Sequence, residues 1–87
     1  MRKKMNVRLI ETLTPPKVRR YEIADELLPG LRLRVYPTGR KVWSAIARSD
    51  RRQVRQNIGT YPAIDLAEAR DAARIILRDT QLGRVVR

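Results

Sequence analysis

The chain has 87 residues, of which 43% are hydrophobic, and this suffices for one modest core but not for two. It has no cysteine and no histidine, which excludes disulfides, thiolate metal sites and every histidine-dependent catalytic or metal site. Its 20 Lys and Arg against 9 Asp and Glu give a net charge of +11, which favours a polyanionic partner, nucleic acid first of all.

The positive charge is concentrated in the front two-thirds of the chain. Residues 1–60 contain 15 of the 20 basic residues and only 5 of the 9 acidic ones. The basic N-terminus lacks the apolar stretch of a signal peptide, and no segment is long enough to span a membrane. We therefore expect a soluble protein of the cytoplasm, without a membrane partner, and we look for the polyanion site in residues 1–60.

A short leader comes first. Asn6 can cap a helix from Val7 to about Thr12. The apolar side chains that this segment can pack into the core are Met5, Ile10 and Leu13. Two prolines then forbid further helix. We predict one domain over residues 1–87, with the leader in 1–16, a sheet in 19–58 and a helix in 65–81.

The middle of the chain predicts an antiparallel meander of three to four strands. Residues 31–36 alternate cleanly between aliphatic and basic or aromatic side chains, whereas residues 19–25 alternate weakly. Asp25 and Glu26 are expected in a turn. A hairpin turn at residues 37–40 leads into the strand that contains Trp43, and a second turn at residues 48–52 leads into the last strand.

The strand over residues 42–47 can be oriented in two ways. Either Trp43, Ala45 and Ala47 are buried, or Val42, Ser44 and Ile46 are. We prefer the first, because Trp43 is large enough to fill a core opposite alanines and its indole N–H can reach a partner at the edge. Ile46 then points away from the core.

The C-terminal helix has the clearest boundaries. Asp65 and Glu68 form a capping box, and Gly83 offers a stop. One face is apolar, through Leu66, Ala69, Ala73, Ile76 and Leu77. This helix can cover the apolar side of the sheet, so the predicted fold is α+β: a small antiparallel three- to four-stranded sheet, a C-terminal helix packed on one face and a short N-terminal helix.

The opposite side of the sheet is the candidate binding surface. Arg, Gln and Asn can make paired hydrogen bonds to base edges in the major groove. We expect no acidic residue between these arginines, so that phosphates would relieve their mutual repulsion. The candidate DNA-binding residues are Arg32, Arg34, Tyr36, Arg40, Lys41, Ser44, Arg48, Arg51, Gln53, Arg55 and Asn57.

Catalysis is not expected from this chain. The acids form no catalytic pair, because Asp65 and Glu68 are explained as helix caps, and no glycine-rich phosphate loop is present. We predict no enzyme activity, no cofactor, no metal and no small-molecule substrate.

Three segments, in order and in register, resemble the N-terminal arm-type DNA-binding domain of phage and genomic-island integrases of the tyrosine recombinase family. They are "LPGLRLRV", "PTGRKVW" and "GTYPAIDLAEAR", and the resemblance covers nearly the whole chain. It implies a sheet that enters the major groove of double-stranded DNA at arm sites. It also implies that catalytic residues lie in later domains, that Tyr61 is a packing residue rather than a nucleophile, and that the protein works at the bacterial nucleoid.

Two other functions remain open. The basic strands could form a protein-interaction module that contacts an acidic partner or another integrase protomer. RNA binding is less favoured, because Tyr36 alone could stack on bases from the exposed side of the sheet.

Overall fold

The computed structural model of the chain describes residues 2–49 and 52–81. Its elements are β1 (Arg2–Lys3), α1 (Val7–Thr12), β2 (Tyr21–Asp25), β3 (Leu31–Val35), β4 (Lys41–Ser49), β5 (Arg52–Tyr61) and α2 (Leu66–Gln81). The candidate contact Arg51 and the predicted helix stop at Gly83 lie outside the described residues.

The strands form a sheet in the order β1-β2-β3-β4-β5. From β2 to β5 every neighbouring pair is antiparallel, which confirms the predicted meander. The two-residue β1 pairs in parallel with the end of β2 and was not predicted, because two basic residues carry no alternation to detect. The α+β fold is thus confirmed, with β1 as a fifth strand at the edge.

The core lies between the sheet and α2. Leu31, Leu33 and Val35 on β3 are fully buried, while Arg32 and Arg34 between them are only partly covered. This is the burial pattern expected of a strand with one face against a core.

Trp43 occupies the centre of the core with no exposed surface. Its indole Nε1 donates a hydrogen bond of 2.8 Å to the carbonyl oxygen of Ile64. Ala45 and Ala47 are buried on the same side, so the preferred orientation of this strand is confirmed. The ring of Tyr61 meets Trp43 edge to face at 6.4 Å, which confirms the packing role predicted for that tyrosine.

The leader follows its prediction. Asn6 caps α1, its side chain accepting a hydrogen bond of 2.8 Å from the backbone N–H of Leu9. Met5 and Ile10 are buried in the core, and Leu13 packs against it.

Helix α2 begins as predicted. The backbone N–H of Glu68 donates to Asp65 at 2.8 Å, and Glu68 accepts from the backbone N–H of Asp65 at 3.0 Å. Leu66, Ala69 and Ala73 are buried against the sheet. The helix therefore covers one face of the sheet and leaves the other uncovered.

A buried ion pair joins α2 to the opposite edge of the sheet. Asp25 is the last residue of β2 and is fully buried, so its expected place in a turn is wrong. Its Oδ2 accepts from Nε of Arg70 at 2.8 Å, and Arg70 Nη2 also donates to the carbonyl oxygen of Met5 at 3.0 Å. A buried carboxylate needs such a partner, and this one ties the leader, β2 and α2 together.

The pairing of β4 with β5 contains a bulge between Trp43 and Ser44. Ser44 pairs with Asn57 and Trp43 with Gly59, so Ile58 is the extra residue and packs against the core. A Cβ on Gly59 would lie 2.7 Å from Cγ1 of Ile64, which explains the glycine. The bulge lets both halves of β5 keep their apolar residues on the core side.

Candidate nucleic-acid interface

The side of the sheet opposite α2 is the surface that the arginines occupy, and we call it the outer face. Paired residues in adjacent strands point to the same side of a sheet, so the register defines its members. The outer face consists of Glu22, Ala24, Arg32, Arg34, Val42, Ser44, Ile46, Arg48, Gln53, Arg55, Asn57 and Thr60.

Three arginines of the outer face converge on a single carboxylate, that of Glu22. Arg34 donates from Nε and Nη2 to Oε2 at 3.1 and 2.9 Å. Nη1 of Arg55 lies 2.8 Å from Oε2, and Nη2 of Arg55 donates to Oε1 at 3.1 Å. Arg32 is more distant, with its Nη1 3.8 Å from Oε1. We call these four residues the Glu22 cluster.

Ser44 forms the floor beneath Arg55. Its hydroxyl accepts a hydrogen bond of 2.8 Å from Nη1 of Arg55, and the serine is only 2% exposed. A small side chain here lets the guanidinium of Arg55 cross β4 toward Glu22.

The expectation that no acid lies among these arginines is wrong, because Glu22 does. Glu22 pairs directly with Arg34, but it is contributed by β2, whose alternation in the sequence is weak. The sequence signal that could have found it is an acid next to the buried Ile23. Only the register of β2 against β3 shows which arginine it faces.

The environment of Glu22 lowers the pKa of its carboxyl. Partial burial acts to raise this pKa, but hydrogen bonds from Arg55 and Arg34 and the charges of these two residues outweigh that effect. The carboxylate is therefore held in its ionised form.

A second group of candidate residues lies at the turn between β3 and β4. The guanidinium of Arg40 lies 6.0 Å from the ring centroid of Tyr36. The Arg34 guanidinium beside Tyr36 lowers the pKa of that phenol, with smaller contributions from the charges of Arg20 and Arg40. This turn therefore places a phenol and a guanidinium close to the Glu22 cluster.

Lys41 is separated from the other candidates by the register. It pairs with Val35 and Tyr61, which belong to the core side of the sheet. Its Nζ lies 6.0 Å from the ring centroid of Tyr61. Lys41 therefore lies on the rim and not on the outer face.

The remaining candidates lie along the pairing of β4 with β5. Arg48 pairs with Gln53, and both are exposed. Arg55 pairs with Ile46, and Asn57 pairs with Ser44. The predicted alternation of β5 is thus confirmed for its described residues.

Comparison with known protein families gives a match over most of the chain. A family model described as "Arm DNA-binding domain" matches residues 4–85 of the chain. The chain belongs to the arm DNA-binding domain family.

This arm DNA-binding domain is also similar to a curated protein, the prophage integrase IntZ of Escherichia coli (strain K12). The two are 43% identical over 58 residues, which are 67% of the present chain and 14% of the integrase. The arm DNA-binding domain thus spans a small part of that relative's length. The resemblance identified from the sequence is confirmed.

The structure adds two further observations on this arm DNA-binding domain. Among the described residues, no helix combines the length and the apolar character that crossing a membrane requires. Within the same residues, no group of three or more acidic side chains could hold a metal ion.

Proposed function

We propose that the outer face binds double-stranded DNA at arm-type sites, and that the chain acts as the N-terminal domain of a site-specific integrase. The observation that carries this proposal is the Glu22 cluster. Three guanidinium groups surround one carboxylate on the side of the sheet that α2 leaves uncovered. One carboxylate cannot neutralise three cations, so a positive excess remains for phosphates to reduce.

The shape of the sheet supports insertion into the major groove. Leu31 at the start of β3 pairs with Ala45, and beyond this point β4 and β5 continue as a two-stranded ribbon. A groove about 12 Å wide admits such a ribbon. Ile46, Arg48, Gln53 and Arg55 are the side chains that the ribbon would present to it.

The residue types fit two kinds of contact. Arg34 and Arg55 have paired donors, and Gln53 and Asn57 each have a donor beside an acceptor, as base edges require. Ile46 could contact a thymine methyl group. We assign phosphate contacts to Arg32, Tyr36, Arg40, Lys41, Arg48 and Arg51. Ser44 was a further candidate, but it is buried beneath Arg55, and we assign it the role of holding that arginine.

The comparisons support the placement in an integrase. The family's description names DNA binding at arms, and the curated relative is a prophage integrase. We propose that this chain supplies DNA recognition without catalysis, at the bacterial nucleoid, while the parts of such a protein beyond the matched 14% carry the reaction.

Binding measurements on the 87-residue chain test the proposal. A duplex selected by the chain from a random pool is compared with a scrambled duplex of the same composition, over a series of salt concentrations. The logarithm of the affinity should fall linearly with the logarithm of the salt concentration, in proportion to the phosphates contacted. The selected duplex should bind more tightly.

Arg34→Ala should weaken binding to the selected duplex by about 1 to 3 kcal/mol and reduce the preference for it. The matched control is Arg74→Ala, which removes the same charge from the exposed side of α2. Equal losses from both variants, or equal affinity of the wild type for both duplexes, would contradict the proposal. A wild type that binds neither duplex would favour a protein-interaction module.

A further inference from the structure

We propose that Glu22 is a positioning residue that sets the DNA sequence preference of the outer face. This inference rests on the proposed function. A carboxylate in the middle of a DNA-binding surface repels phosphates, so it lowers affinity for every duplex. Its contacts indicate a compensating role, because they fix the geometry of Arg34 and Arg55.

The contacts of Glu22 restrain the two guanidinium planes. Arg34 directs two of its nitrogens to Oε2, and Arg55 directs one nitrogen to each carboxylate oxygen. Arginine is rich in rotamers, and a side chain already held in place loses less entropy on binding. Arg34 and Arg55 are therefore restrained before DNA arrives.

The same contacts weaken indiscriminate binding. To bind an arbitrary nearby phosphate, Arg34 or Arg55 must break its ion pair with Glu22. Arg55 must also break its hydrogen bond to the hydroxyl of Ser44. A partner that suits the restrained geometry requires no such loss. Since specificity is a difference between affinities, a residue that lowers affinity for the wrong duplex raises specificity.

Charge and reach can be separated by two substitutions. Glu22→Gln keeps the shape of the side chain but removes its charge, whereas Glu22→Asp keeps the charge and shortens the reach. The matched control is Glu26→Gln, which raises the net charge equally at an exposed position in the turn after β2. Each variant is titrated with the selected and the scrambled duplex.

Glu22→Gln should bind the scrambled duplex more tightly than the wild type does, and its preference for the selected duplex should fall by about fivefold or more. Glu22→Asp should also lose preference, but it should gain less affinity for the scrambled duplex than Glu22→Gln does, because its charge remains. Glu26→Gln should change both affinities by one common small factor. In the free protein, the Nε–Hε NMR signal of Arg34, which donates to Glu22, should lose its protection from solvent exchange in Glu22→Gln.

The outcomes separate this inference from the proposed function. A wild type without preference between the duplexes would overturn the proposed function. A wild type with a preference that Glu22→Gln leaves unchanged would overturn only the role of Glu22. Weaker binding of both duplexes by Glu22→Gln would also overturn it, because damage to the fold lowers affinity whereas loss of a repelling charge raises it.

Discussion

Arg55 on β5 and Glu22 on β2 are in contact although β3 and β4 lie between their strands, with Nη1 of Arg55 2.8 Å from Oε2 of Glu22. Three strand spacings amount to about 14 Å, so both side chains must lie nearly flat across the sheet to meet. This explains why Ser44 beneath them is buried and why the carboxylate is only 24% exposed. The arginines of the Glu22 cluster are thus held by ion pairs and hydrogen bonds, and they are not independent solvated side chains.

The ion pair of Glu22 and Arg55 should contribute modestly to stability. In a double-mutant cycle of Glu22→Gln and Arg55→Gln, we expect a coupling of about 0.5 to 1 kcal/mol, because both side chains remain partly exposed to solvent. Urea unfolding followed by Trp43 fluorescence measures it. Strict additivity of the two single effects would show that the contact does not persist in solution.

Ser44 should be required for the position of Arg55. Ser44→Val suits a strand but removes the hydroxyl and adds bulk beneath the guanidinium, so affinity for the selected duplex should fall by about 1 to 3 kcal/mol. Thr12→Val is the control, since Thr12 is an exposed residue of α1 outside the sheet and its hydroxyl likewise makes one hydrogen bond, to the carbonyl oxygen of Leu9. If both variants bind like the wild type, Arg55 does not depend on Ser44.

The buried pair of Asp25 and Arg70 should be important for folding. Arg70→Leu leaves Asp25 buried without its cation, and we expect a loss of about 3 kcal/mol or more in the free energy of unfolding. That is a large part of the roughly 5 kcal/mol expected for a small domain.

Arg74→Leu is the matched control for Arg70→Leu on the same helix. Its partner Asp71 and Arg74 itself are exposed, so the change should stay within about 0.5 kcal/mol. Urea denaturation compares the two variants, and similar losses would contradict the role assigned to Arg70.

The lowered pKa of Glu22 predicts a pH dependence of stability. A carboxyl whose pKa is lower in the folded than in the unfolded chain stabilises the fold above its ordinary pKa of 4.5, and this contribution is lost as pH falls through the lowered value. The free energy of unfolding should therefore decline below pH 4.5 more steeply in the wild type than in Glu22→Gln. Parallel curves would show that Glu22 titrates alike in both states.

Much of the fold could be predicted because local patterns and tertiary contacts agree. The alternation of β3, the capping box of α2 and the cap at Asn6 each specify one element. The orientation of β4 followed from the volume of Trp43. Such elements can be predicted from the sequence because their local conformational preferences agree with their packing in the fold.

Other features depend on contacts between distant residues and could not be predicted. The strand β1 has only two residues and exists because β2 offers it an edge. Asp25 is buried because Arg70, 45 residues later, supplies its partner. Glu22 joins the arginines because the register places it opposite Arg34. In each case the sequence shows the residue but not the neighbour that gives it its role.

Amide chemical-shift mapping with the selected duplex shows which surface of the domain contacts DNA. If the outer face binds DNA, the largest shifts should fall on β3 and on the ribbon of β4 and β5, around Arg34, Arg48 and Arg55, while the exposed side of α2 changes little. Shifts concentrated on α2, with Arg34 and Arg55 unchanged, would show that the outer face does not bind DNA.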